Sequence, residues 1–218
     1  MLCYRLVVLI FVIVFTACMT CSIFFPVFRK TTTNGAIETR EAVYYWYTES
    51  CAARAPGAPG KVIVRYYTRE LLCPRARVFF IASSAISVAG AGIGAVACLV
   101  LACWTTATGG HILHVGAASL TLTFITMACA GVTVGLVTHL FTNDFCLNDP
   151  VAFYRAPQKD GYRMVEGFGL LCTAAGGFFF MMVVLVFGLC RSGQPLEEPA
   201  MQEHHEKGTS GSHRCDRS

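Results

Sequence analysis

The sequence predicts an all-α membrane protein, a four-transmembrane-helix bundle with a small β-containing first loop. Three observations lead there. Of 218 residues, 55% are apolar and only 14% are Asp, Glu, Lys or Arg, against about 25% charged in an average soluble domain. No charged residue occurs in 6–28, 78–143 or 167–190. The eight prolines lie outside the interiors of the spans read from those windows, with Pro26 at the end of the first. This composition excludes an ordinary soluble domain, a disordered chain and a small disulfide-stapled secreted module.

Residues 1–5 form a short N-terminus. The first span, 6–27, is one crossing of a hydrocarbon core roughly 30 Å thick, at about 1.5 Å per residue. Its apolar run exceeds that of a signal peptide and no A-x-A-like cleavage site follows, so it reads as an uncleaved anchor. The middle window is too long for one crossing and must fold back. Trp104, the Gly109-Gly110 pair and His111 mark the break, which gives spans at 78–104 and 112–141 around a short loop at 105–111. A fourth span covers 167–190.

The first loop, 28–77, is the one substantial polar part. Ala42–Thr48 and Lys61–Thr68 read as strands, being rich in β-branched and aromatic residues, and the Pro/Gly-rich 55–60 connects them. A loop of this size cannot build its own core, so it should lean on the bundle and be stapled. The second polar loop, 142–166, is nearly balanced in charge. The tail, 191–218, is polar and free of aromatics, and reads as disordered.

Seven of the twelve cysteines fall in or beside spans, where a free thiol packs as a small hydrophobe. Cys51 and Cys73 are the only cysteines of the first loop, and they flank its turn and second strand. They are expected to pair if that loop faces an oxidising space. With 21 intervening residues, such a bond is worth about 3 kcal/mol in the chain-entropy model. Cys146 is expected to stay single. Orientation is contested. The two longer loops carry twelve Lys/Arg, and the N-terminus, the short loop and the near part of the tail only Arg5 and Arg191, so charge bias alone puts the first loop in the cytosol. The disulfide argument points the other way. In that orientation Cys3, Cys103 and Cys190 are cytosolic and open to S-acylation.

Little in the sequence suggests catalysis. No Asp, Glu, Lys or Arg lies within the spans, where such groups mark proton relays and ion paths. His111 and His114 share helical spacing, but two His without a Cys or carboxylate make a weak metal site. His204, His205, His213 and Cys215 offer another weak set in the tail. Gly90-Ala-Gly-Ile-Gly94 lacks the spacing and the preceding strand of a nucleotide loop. No cofactor is expected. Basic residues of the first loop are mixed with Glu, which gives nucleic-acid binding no support.

The positive signal within the spans is packing. Gly90 with Gly94, and Gly131 with Gly135, are small-xxx-small pairs that let backbones approach closely. They serve packing within the bundle or association between copies, and the first is favoured because four helices in one chain already need such contacts. Ser119, Thr121, Thr123, Thr126 and Thr133 are expected to hydrogen-bond between helices. In the first loop, Arg54, Arg65 and Arg69 beside Trp46 and Tyr66 combine residue types enriched at interface hot spots. They predict a contact surface for an anionic cell-surface or membrane-protein partner, weakened by salt. Trp46 and Tyr66 serve equally well as anchors of the loop on the bundle.

The four spans over 6–190, Tyr45-Trp46 before Cys51, and Leu72-Cys73-Pro-Arg-Ala-Arg77 running into the Ser/Ala-rich Phe79–Val88 resemble the amastins. These are surface glycoproteins of trypanosomatid parasites, similar in plan to claudins. The chain is divergent, with no aromatic-Gly stretch or second nearby cysteine after Cys51. The resemblance implies cytosolic termini, an extracellular first loop, extracellular 142–166, a plasma-membrane location and no catalytic activity. Two other readings are an auxiliary subunit or scaffold binding a membrane protein through its spans, and a small-solute or proton transporter, which the absence of intramembrane charge disfavours.

Overall fold

The computed structural model describes residues 2–34, 37–53, 61–106 and 111–192. Arg54, the 55–60 connector, the 107–110 break and the tail from 193 onward, with its histidines and Cys215, lie outside the described residues. The apolar windows become four helices: α1 (Leu2–Phe24), α2 (Pro74–Thr106), α3 (His111–Thr142) and α4 (Glu166–Ser192). Each is long and apolar enough to cross a membrane, and together they make a membrane-embedded bundle. Pro74 opens α2 where its missing N–H costs no intrahelical bond. The 33 residues of α2 extend about 50 Å, so this helix outreaches the hydrocarbon core.

The helices pack in a ring, α1 on α2, α2 on α3, α3 on α4 and α4 on α1. Gly90 and Gly94 face inward. A Cβ at Gly90 would run into the Met19 methyl and lie 2.9 Å from Cys129 Cβ, and one at Gly94 would lie 3.0 Å from Thr16 Oγ1. Helices α1, α2 and α3 can approach here only because both positions lack a side chain. Gly131 and Gly135 differ. Both are exposed and a Cβ at either meets nothing within 4 Å. The second glycine pair therefore does not pack within the bundle, because α3 turns that face outward.

The expected hydrogen bonds between helices are also corrected. Ser119, Thr121, Thr123, Thr126 and Thr133 all donate to the carbonyl four residues earlier in α3, at 2.8–3.1 Å. Each hydroxyl thus satisfies itself locally and leaves its methyl or Cβ for packing. A contact that does cross helices joins Thr16 Oγ1 and Cys98 Sγ at 3.6 Å.

One end of the bundle is capped by a five-stranded antiparallel sheet. Its strands are β1 (Phe28–Asn34), β2 (Ile37–Val43), β3 (Tyr47–Ala53), β4 (Lys61–Tyr67) and β5 (Arg163–Met164), ordered β4-β3-β2-β1-β5. The single strand expected over Ala42–Thr48 is instead the end of β2, a tight turn and the start of β3. Tyr44 N donates to Tyr47 O at 2.8 Å to close that turn. The aromatic run looks extended because turn and strand residues share the same composition. Cap and bundle share one apolar layer formed by Val27, Phe28, Tyr45, Phe80, Leu140 and Phe145, all buried.

Candidate contact surface

Alternation along the strands divides the cap into two faces. Phe28, Val43, Thr48 and Tyr66 are cross-strand neighbours on the inner face. Arg163, Arg29, Ala42, Glu49 and Arg65 form the corresponding outer row. The outer face is a ladder of ion pairs: Arg29–Glu166 at 3.1 Å, Arg40–Glu38 at 2.8 Å and Arg65–Glu49 at 3.2 Å. Glu38 and Glu49 hold the guanidinium pKa values of Arg40 and Arg65 above their usual range, chiefly through these hydrogen bonds. Arg65 also stacks 4.6 Å from the Tyr47 ring centre.

This alternation overturns the expected Cys51–Cys73 bond. Cys51 lies on the outer face, opposite Arg40, and its thiol points to Glu49 Oε1 at 3.7 Å. Burial, followed by the Glu49 charge, pushes the Cys51 thiol up. Cys73 is buried beneath the inner face, just before α2, and is bonded to Cys146 just after α3. Because α2 and α3 are antiparallel neighbours, their ends at the cap meet. The bond therefore ties the 142–166 loop to the first loop.

The 142–166 loop is built to hold that position. Phe145 and Tyr154 exchange backbone hydrogen bonds at 2.9 and 3.0 Å. Asp144 accepts Ala156 N–H at 2.7 Å and pairs with Lys159, and the Lys159 hydrogen bond holds its carboxyl below the usual carboxylate range. Tyr162 Oη donates to Glu41 Oε2 at 2.5 Å and its ring lies under Lys30. Burial first, then the Glu41 hydrogen bond, pushes the Tyr162 phenol up.

Between this loop and the inner edge of the sheet runs a groove of about 500 Å³. Cys73 and Phe80 line its base. Tyr66, Tyr67, Glu70 and Leu72 form one side, and Val151, Phe153 and Arg155 the other. Tyr66 is 62% and Val151 75% exposed, with Leu72 and Phe153 also open. Arg155 is paired with Asp160 at 3.2 Å. No protein-family model and no curated protein matches this chain.

The residues expected to form one contact surface are thus dispersed. Tyr66 faces the groove, while Arg65 next to it faces the opposite side. Trp46 sits exposed in the β2–β3 turn and accepts Thr68 N–H through its carbonyl at 2.9 Å. Arg69 stacks on Tyr67 at 5.3 Å. Sequence reasoning missed Val151 and Phe153, because the 142–166 loop has no periodic pattern. The position of Cys146 directly after a span was the available signal that this loop would lie against Cys73.

Proposed function

We propose that the chain is a non-catalytic, multi-pass protein of the cell surface, amastin-like in plan, whose cap is an extracellular contact module. The groove carries this reading. Tyr66, Leu72, Val151 and Phe153 leave apolar side chains open beside charged groups on a cap braced by a disulfide. Open apolar surface rimmed by polar groups is characteristic of interaction sites, and aromatic anchors next to arginine supply the energetic centres of such contacts. The Cys73–Cys146 bond supports placing the cap in an oxidising space and the termini in the cytosol. Residues 29–77 and 142–166 hold twelve basic and eight acidic residues, so an anionic protein or glycan is the partner class. Much of this charge is internally paired, so salt should weaken binding without abolishing it.

Two measurements test the reading. A tag inserted at Ala58 should be reached by an antibody on intact cells, and one at Gly208 only after permeabilisation. The full-length protein in lipid nanodiscs should bind neighbouring or host cell surfaces. Changing Tyr66 and Phe153 together to Ser should reduce that binding at least tenfold while leaving the Cys73–Cys146 bond in place. Undiminished binding by the double variant removes the groove from the proposal.

A second reading, a scaffold that binds another membrane protein through its spans, is favoured by Gly131 and Gly135. Their exposed α3 face would admit close approach of a partner helix. Loss of a co-purifying membrane protein on Gly131→Leu, with cell binding intact, would select it.

A further inference from the structure

The end of the bundle opposite the cap carries three exposed cysteines on three different helices. Cys3 lies in the first turn of α1, Cys103 in the last turn of α2 and Cys190 in the last turn of α4. Aromatic and arginine contacts bring these helix ends together. Tyr4 Oη donates to Val184 O at 2.8 Å, and its ring meets Trp104 edge-on at 6.3 Å. Arg5 donates to Trp104 O at 3.0 Å and stacks on the indole at 5.0 Å. Tyr, Trp and Arg in such a ring mark the headgroup level of a bilayer. Cys3 adjoins Tyr4 and Cys103 adjoins Trp104, so their thiols sit at that level. Cys190 is six residues beyond Val184, about 9 Å along the helix.

Each thiol also stands above a lipid-facing side chain one turn deeper in the bundle. Val7 is the deeper neighbour of Cys3, Leu99, 68% exposed, of Cys103, and Phe187, 70% exposed, of Cys190. An acyl chain on any of the three sulfurs would descend along an apolar wall already turned to lipid. The remaining exposed thiols of the helices, Cys21 and Cys172, lie toward the cap, on the side of the disulfide.

We propose that Cys3, Cys103 and Cys190 are sites of S-acylation by long-chain fatty acids, pinning the cytosolic end of the bundle to the inner leaflet. The acyl donor is a fatty acyl thioester of coenzyme A. The cysteine sulfur attacks the acyl carbonyl carbon, a new S–C bond forms and the bond to the coenzyme A sulfur breaks. The thiol proton ends on coenzyme A, and no redox change occurs. Juxtamembrane cysteines are the usual acceptors of this reversible modification, and several attached chains hold a surface far more firmly than one. The proposal rests on the orientation given under the proposed function.

The test is acyl exchange on the full-length chain made in a eukaryotic cell with cytosolic protein S-acyltransferases. Free thiols are blocked, thioesters are cleaved with hydroxylamine, and the released thiols take a polyethylene-glycol maleimide. A ladder of three mass steps, absent without hydroxylamine, is expected. Cys3→Ser, Cys103→Ser and Cys190→Ser should each remove one step, and Cys21→Ser with Cys172→Ser none. No hydroxylamine-dependent step, or a ladder that survives the Cys3/Cys103/Cys190 triple variant, overturns the acylation. If the Ala58 tag is outside in the same cells, the orientation stands and only the acylation falls. An Ala58 tag found inside overturns both.

Discussion

Gly90→Ala tests how closely the helices are required to approach. The added Cβ would be 2.9 Å from Cys129 Cβ, against ordinary contact beginning at 3.4 Å, and would also strike the Met19 methyl. Met19 has a flexible end but is fully buried, so its movement displaces other core atoms. The Cys129 Cβ is fixed to the α3 backbone and yields only if α2 and α3 separate. Overpacking of this kind costs about 1–3 kcal/mol. Replacing a helical glycine with alanine returns up to about 1 kcal/mol of helix propensity. With the full propensity gain the net loss is about 0–2 kcal/mol, which leaves Gly90→Ala about 1–3 kcal/mol below a variant that takes the gain without the clash, at about 2–4 °C of melting temperature for each kcal/mol in a chain of this size. Gly92→Ala is the control. It meets nothing within 4 Å, so only the propensity gain applies and the variant should melt at or above wild type. Thermal melts in detergent micelles, read by fluorescence-detected size exclusion, make the comparison. A Gly90→Ala protein that melts as high as Gly92→Ala would refute the close-approach argument.

Three further outcomes are expected. Non-reducing peptide mapping should recover Cys73 linked to Cys146 with Cys51 alkylatable, and Cys73→Ser should loosen the cap by up to about 4 kcal/mol, the chain-entropy limit for a separation of 73 residues. Because the Asp144 carboxyl is held below its ordinary 3.8, its contribution is complete above that pH and disappears as pH falls below it. Trp46 fluorescence should report acid loosening of the cap that Asp144→Asn abolishes. Tyr162→Phe should leave Glu41 without its phenol donor at a cost of about 0.5–1.5 kcal/mol. As the Tyr162 phenol is raised, its neutral form and this bond persist through pH 10 and fail only at higher pH, visible as late tyrosinate absorbance.

The four helices were legible from composition alone, because water-free hydrocarbon accepts few structures besides long apolar helices. Gly90 and Gly94 were also readable as a close-approach pair, since their spacing puts both on one helix face. The same spacing at Gly131 and Gly135 carried no information about which way α3 turns, and only packing placed them outside. The cap was harder to read. β1 is Thr-rich and basic and β2 carries three charges in seven residues, so neither reads as apolar, although Asn34-Gly35 between them is a strong short-range hairpin signal. Disulfide partners depend on where chain segments distant in sequence meet. Proximity in the first loop suggested Cys51, whereas strand alternation turned Cys51 outward and the antiparallel α2–α3 pair delivered Cys146 to Cys73. Hydrophobic windows are a property of each segment separately, so the sequence determines them. The disulfide joins segments 73 residues apart, and the groove and the choice of inner sheet face depend on which distant segments pack together, so only the tertiary structure decides them.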